Sequence, residues 1–265
     1  ARNHHVVKTY ANAWLDNSSD SLILLMAAYR SGAPVWQRAL LGEFSGDMDD
    51  NPYNLLRTYA QSGPDGMGST AYFRYWHGHQ VIVKPLLLFC TYMDLRVINM
   101  LAQGALLFWV ILLMTKRGLT RYVPAFALAV AALTPWVLPL CLHYSACYYV
   151  MLLGAGVLLQ WPRAVGRRLG AAAYFMLLGM ATNYFDLFTY PLITFGVPFV
   201  FWVLLEDREP NVCGGLTPGL FLRCGGGWLF GYAGLWAAKI ALAALLTTEP
   251  AWRVAWAQVT LRTVG

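Results

Sequence analysis

VINMLAQGALLFWVILLM, residues 97–114, runs without a charged side chain and is closed by Lys116, Arg117 and Arg121. A helix rises 1.5 Å per residue, so a run of this length matches the roughly 30 Å hydrocarbon core of a bilayer. Five more apolar runs follow, at about 122–142, 144–159, 170–185, 188–205 and 226–246. Pro135 and Pro139 predict a bend or break in the first of these, and the 188–205 run carries Pro191 and Pro198. The expectation is an all-α membrane protein with about six transmembrane helices.

Composition agrees with that reading. The chain is 58% hydrophobic and 12% charged, whereas a soluble domain carries roughly 25% charged residues. The 11 Trp and 15 Tyr suit the membrane–water interface. The net charge of +6 comes from cations set in short gaps between apolar runs, which is the positive-inside pattern and not a nucleic-acid stripe. Five cysteines show neither a CxxC pair nor metal-ligand spacing and read as small apolar fillers. The start at Ala1 predicts a piece of a longer protein whose first helix or signal anchor lies upstream.

Three regions follow. Residues 1–94 are expected to form a large extracytoplasmic loop with amphipathic interfacial helices near 21–29 and 34–44. Residues 95–246 form the helix bundle, and 247–265 an extracytoplasmic amphipathic tail with Trp252 and Trp256 at helical spacing. The cations at 116–121 and 163–168 put those turns in the cytoplasm. Alternation then puts the large loop and the turns near His143 and Asp186 outside.

Ionisable residues gather on that outer side. A charge in a bilayer costs several kcal/mol, so one that persists is a candidate site. Lys239, in Trp236-Ala-Ala-Lys239, can grip a phosphate or snorkel to the interface. Asn183 and Asp186 share a face if their helix continues that far; otherwise Asp186 is a turn residue before Pro191. Arg74 and His77 lie in an aromatic and basic segment, 72–80, that suits sugars or headgroups, while an interfacial belt accounts for Tyr75 and Trp76. His77 and His79 lack a third ligand at a metal-binding spacing. Asp20 is a candidate general base with Asp16 as its alternative; otherwise Asp16 or Ser18 is an N-cap and Asp20 a first-turn acid. A divalent cation is the one cofactor left open, at Asp47-Met-Asp-Asp50, a stretch that reads first as a solvated acidic turn. Asn17-Ser-Ser matches a glycosylation acceptor.

Arg74-Tyr-Trp-His-Gly, Lys84-Pro-Leu-Leu, Asn183-Tyr-Phe-Asp186 with Thr189-Tyr-Pro191, and Trp236-Ala-Ala-Lys239 resemble segments of an uncharacterised group of bacterial multi-pass membrane proteins. Their layout is similar to that of the GT-C membrane glycosyltransferases. That resemblance implies a bacterial cytoplasmic-membrane enzyme that moves a sugar from a polyprenyl-phosphate donor to an extracytoplasmic glycan or protein acceptor. It also implies an early loop acid as catalytic base, matched first by Asp20 and second by Asp16, with Lys239 and Arg74 on the donor phosphate. The rival readings are a transporter or flippase of a lipid-linked glycan, and a non-catalytic membrane assembly protein.

Overall fold

The computed structural model describes residues 15–247, 251–253 and 256. Ahead of the bundle stands a cap of short elements: α1 (Asn17–Ala28), α2 (Val35–Leu41), α3 (Pro52–Ser62) and α4 (Gln80–Leu86). A two-residue antiparallel ribbon pairs β1 (Phe44–Ser45) with β2 (Ser69–Thr70). Local chemistry starts and stops these helices. The Asp16 side chain accepts from the Ser19 amide at 2.9 Å and so caps α1. Asn51 does the same for α3, where Pro52 occupies the first turn with no amide to leave unpaired. Gly42, in the left-handed region at φ 58°, ends α2. Leu25, Met26, Phe44 and Leu55 give the cap a small core of its own. Ile23 packs with Val83 and Leu95, joining cap to bundle.

Two of these helices, α1 and α2, fall where short helices were expected near 21–29 and 34–44. The third, α3, was not anticipated, because only Leu55 of its residues is buried and its apolar signal is weak.

The bundle follows as α5 (Tyr92–Lys116), α6 (Val123–Ala132), α7 (Leu142–Gln160), α8 (Ala171–Phe185), α9 (Ile193–Arg208) and α10 (Leu220–Leu246). Three of them, α5, α7 and α10, are long and apolar enough to cross a membrane. Their outward faces are apolar: Leu101 on α5 and Phe230 and Leu245 on α10 are 65%, 72% and 80% exposed. A water-facing helix would carry charge there, so these faces fit lipid. Helix α5 starts at Tyr92, earlier than the apolar run, because Thr91 and Asp94 form a reciprocal capping box.

The run expected near 122–142 breaks where its prolines stand. Helix α6 stops at Ala132, Thr134 turns back at φ 55°, and 3-10 turns complete the return. Backbone freed in this way needs partners when water is scarce. Asn99 of α5 donates to the Pro139 carbonyl at 2.9 Å, and Ser145 of α7 donates to those of Leu138 and Cys141 at 3.0 and 2.8 Å. Tyr149 and Gln103 complete the network by donating to Asn99 Oδ1.

Helices α8 and α10 run parallel and touch through glycine. Gly227 lies against the Ala172 carbonyl and Gly231, four residues on, against that of Met176. From the other side, Gly179 meets the Trp228 carbonyl. Small residues four apart let backbones approach this closely, which is how helices associate where burial from water supplies little drive. Thr182, Thr194 and the Trp228 indole hydrogen-bond across α8, α9 and α10.

The bundle has two chemically distinct ends. Arg117 closes one, donating to the carbonyls of Leu159 and Gln160 at the C-terminus of α7. At the other end the cap covers the N-terminus of α7.

Candidate functional site

The cap end is built around Asp20, which is 1% exposed. One carboxylate oxygen accepts from the Leu142 amide at 3.1 Å and from the Tyr92 hydroxyl; the other accepts from the His143 amide at 3.1 Å. Those two amides are the first of α7, so a residue of α1 caps a helix more than a hundred positions away. Arg96, one turn after Tyr92, donates to the Tyr92 hydroxyl at 2.7 Å and to the Asn17 side chain at 2.9 Å. Burial pushes the Asp20 carboxyl up to about 6, against the opposing pull of the Tyr92 hydroxyl and the two amides. Asp16 is occupied differently: both its oxygens take the Ser19 amide and hydroxyl as the cap of α1. Asn17 is buried against Arg96, which overturns its reading as a glycosylation acceptor, since such a site must be exposed.

The aromatic and basic segment 72–79 wedges between α8 and α10. The Gly78 amide donates to the Tyr184 carbonyl at 2.9 Å, and a Cβ at Gly78 would sit 2.3 Å from the Tyr184 ring. The Trp76 indole donates to the Leu235 carbonyl at 2.9 Å. Tyr75 is 6% exposed and packs edge-on against Phe188, so the interfacial-belt reading fails for it. His77 and Phe188, which flank Tyr75, both hold positive φ, 55° and 61°. Bulky residues rarely adopt that conformation, and it concentrates at functional sites.

His77 Nε2 lies 2.7 Å from the Tyr72 carbonyl. A carbonyl only accepts, so the ring carries its proton at Nε2 and presents a lone pair at Nδ1. That Nδ1 is buried without a partner among the described residues. His79 hydrogen-bonds the Phe185 backbone, and its buried Nε2 is likewise unpartnered. Burial, with the neighbouring His79, holds the His77 imidazole well below its usual range, and burial takes His79 down to about 4. Both rings are therefore neutral hydrogen-bond acceptors at physiological pH. They meet edge to face with centres 5.8 Å apart, facing neither apart nor together as helix or strand spacing would require. The buried Asn183 Nδ2, two residues before Phe185, is a donor without a partner among the described residues.

Lys239 is wholly buried. Its Nζ donates to the Ala39 carbonyl at 3.0 Å and lies 5.0 Å from the Trp76 ring centre, so the snorkelling alternative fails. Arg74 rests on Tyr72 and Tyr75 at 5.6 and 5.8 Å, with a buried, unpartnered Nε. Among the described residues neither cation has a carboxylate within ion-pair distance.

Asp186 departs from the expected face. Helix α8 ends at Phe185, and Asp186 is extended at φ −88°, ψ 154°. It accepts from the Thr189 amide and hydroxyl at 3.0 and 2.5 Å, organising the turn into Pro191. Asn183 and Asp186 therefore part where a continuous helix would have aligned them. The Asp47 carboxylate accepts from the Asp49 amide in an exposed turn. Among the described residues no three His, Cys, Asp or Glu side chains converge as metal ligands would.

One end of the bundle thus gathers Asp20, His143, His79, His77, Trp76 and Lys239 as successive neighbours. Tyr92 and Arg96 were missed as partners of Asp20, although their spacing of four on a helix beside an arginine was visible. The chain matches no protein-family model, no curated protein and no solved structure, so its chemistry is read from this geometry alone.

Proposed function

We propose that the chain is part of a membrane-embedded glycosyltransferase that takes a sugar from a polyprenyl-phosphate donor and passes it to an acceptor outside the membrane. The observation that carries this reading is that two imidazole lone pairs, His77 Nδ1 and His79 Nε2, and the Asn183 amide donor are all buried without a partner among the described residues. A phosphate dianion offers no donor to such nitrogens; a polyol does. An unpartnered buried polar atom costs about 1–3 kcal/mol, so a hydroxyl-bearing ligand that supplies donors recovers that free energy. Lys239, with ammonium donors beyond the one given to Ala39, and Arg74 supply the cationic counterpart for the donor phosphate.

In this reading the chain passes six times through a bacterial cytoplasmic membrane in a GT-C-like arrangement, with α6 completed by the turns that follow it and the cap extracytoplasmic. The donor enters sideways from the lipid. Asp20, ionised above about pH 6, exchanges the Tyr92 hydroxyl for that of the acceptor and takes its proton. The acceptor oxygen bonds the anomeric carbon while the bond to phosphate breaks, and its electron pair leaves on the lipid phosphate.

The test is transfer of label from radiolabelled polyprenyl-phosphate sugars, with the full-length protein in native membranes. Lys239→Met removes a buried cation that has no carboxylate partner among the described residues, and the desolvation it relieves offsets the bond lost to the Ala39 carbonyl. We expect transfer to fall about 100-fold, as for loss of one electrostatic contact to a developing charge, with the melting temperature held or raised. His79→Phe should weaken donor use more than it weakens folding. Wild-type transfer in both variants would sink the proposal.

A second reading is favoured by one observation. Both Asp20 oxygens are already occupied, as a clamp holding cap to bundle requires. A non-catalytic assembly protein would turn over none of the donors, and Asp20 variants would alter only its stability.

A further inference from the structure

The arginine end carries a cleft of about 480 Å³ that the proposed activity does not use. Arg117, Arg163, Arg167 and Arg168 line it, with Trp161 and Gln160. Four guanidiniums around one hollow repel one another, and the ion pair within reach is Arg163 with Glu209. Arg117 is spent on the carbonyls of Leu159 and Gln160. Arg167 gives one nitrogen to the Asn211 carbonyl at 3.0 Å. The remaining donors, including all those of the exposed Arg168, face the cleft and the surrounding solvent or headgroups.

The backbone beneath is fixed. Residues Ala164–Leu169 form a π-helical turn closed by the Gly170 amide on the Val165 carbonyl at 2.9 Å. Such wide turns recur at functional sites. Gly166 presses on residue 213, where a Cβ would lie 2.1 Å from the Cys213 carbonyl oxygen. Glu206, 4% exposed, holds that loop by accepting the amides of Asn211, Cys213 and Gly215 at 2.7, 2.6 and 3.0 Å. The donors thus stand on a floor that is already set, which lowers the ordering cost of binding.

We infer that this cleft binds a phosphate group. Planar guanidiniums match phosphate oxygens two at a time. The cleft lies at the end of the membrane-length helix α7, beside Trp161, which is 55% exposed. An indole there sits at headgroup depth, so the group belongs to an anionic lipid or to a soluble phosphate drawn to the same donors.

The experiment uses the full chain in phosphatidylcholine nanodiscs doped with phosphatidic acid, with retained lipid read by native mass spectrometry. Wild type should enrich phosphatidic acid over phosphatidylcholine about tenfold, given roughly one interaction of useful size per arginine. Arg167→Gln/Arg168→Gln should bring the ratio close to one, and Arg121→Gln, outside the cleft, should leave it unchanged. Release of the lipid by millimolar inorganic phosphate, or phosphate binding without lipid preference, would support the site and name a soluble ligand. If the double variant misfolds, Arg168→Glu, a change at an exposed side chain with no bond among the described residues, replaces it. Wild-type retention of both probes in the arginine variants would overturn the inference.

Discussion

Replacing Asp20 with alanine will cost the protein about 3 kcal/mol or more near pH 4–5 and visibly less at pH 8. Three buried donors, the Leu142 and His143 amides and the Tyr92 hydroxyl, lose their acceptor together. Each unpaired donor costs about 1–3 kcal/mol, and water that reaches the site recovers part of it. The pH dependence has a definite sign. The carboxyl titrates near 6 when folded and near 3.8 when unfolded, so the folded state binds the extra proton. The stability this confers is fully present below about 3.8 and is lost as pH rises through about 6. At about 1.36 kcal/mol per unit, the interval corresponds to roughly 3 kcal/mol.

The buried histidines act in the opposite direction. Their folded values lie below 6.5, so their contribution is present above that pH and fades as pH falls. The difference between wild type and variant removes the histidine term and isolates Asp20. Thermal unfolding in detergent across pH 4 to 8 measures it. A stability gap of constant size would show that Asp20 is not the group titrating. Asp20→Asn should lose less, since the amide oxygen keeps one pair of bonds while its NH₂ opposes a buried amide. Lost sugar transfer in that variant therefore has to be read beside its melting temperature.

Gly231→Ala will be among the most damaging single-methyl additions to the bundle. The new carbon would stand 2.1 Å from the Met176 carbonyl oxygen, and backbone has no rotamer by which to yield. Helices α8 and α10 must part along their length, breaking the fit of Gly179 on Trp228 and of Gly227 on Ala172. Overpacking of this kind costs about 1–3 kcal/mol where side chains can adjust, and more where they cannot. Gly104→Ala on α5 is the control. Nothing lies within 4 Å of its added carbon, so the helix gains up to about 1 kcal/mol from the better propensity of alanine. Melting curves that fail to separate the two variants would mean that α8 and α10 are not in glycine contact.

Some of this was legible in order along the chain. The apolar run 97–114 gave α5, the prolines at 135 and 139 gave the break after α6, and Asp16 read as a cap because capping is decided within a few residues. Helices α8 and α9, at 15 and 16 residues, emerged as apolar runs but fall short of the length that marks a crossing. The amphipathic helix α3 was missed because it is polar overall, although Leu55, Leu56 and Tyr59 pack on the cap core.

What a sequence determines alone is whatever depends on neighbours a turn or two away and on total apolar content. Those two things settled a helical, membrane-associated chain with its polar residues skewed toward one end. Only the tertiary structure decided what each polar residue does, because hydrogen-bond partners are chosen by distance in space. Asp20 meets the amides of residues 142 and 143, Lys239 meets the carbonyl of residue 39, and Asp186 turns back on Thr189. No spacing in the chain encodes the first two of these contacts. They exist because helix packing carries distant backbone into reach, where a buried charge must find a partner or not be tolerated.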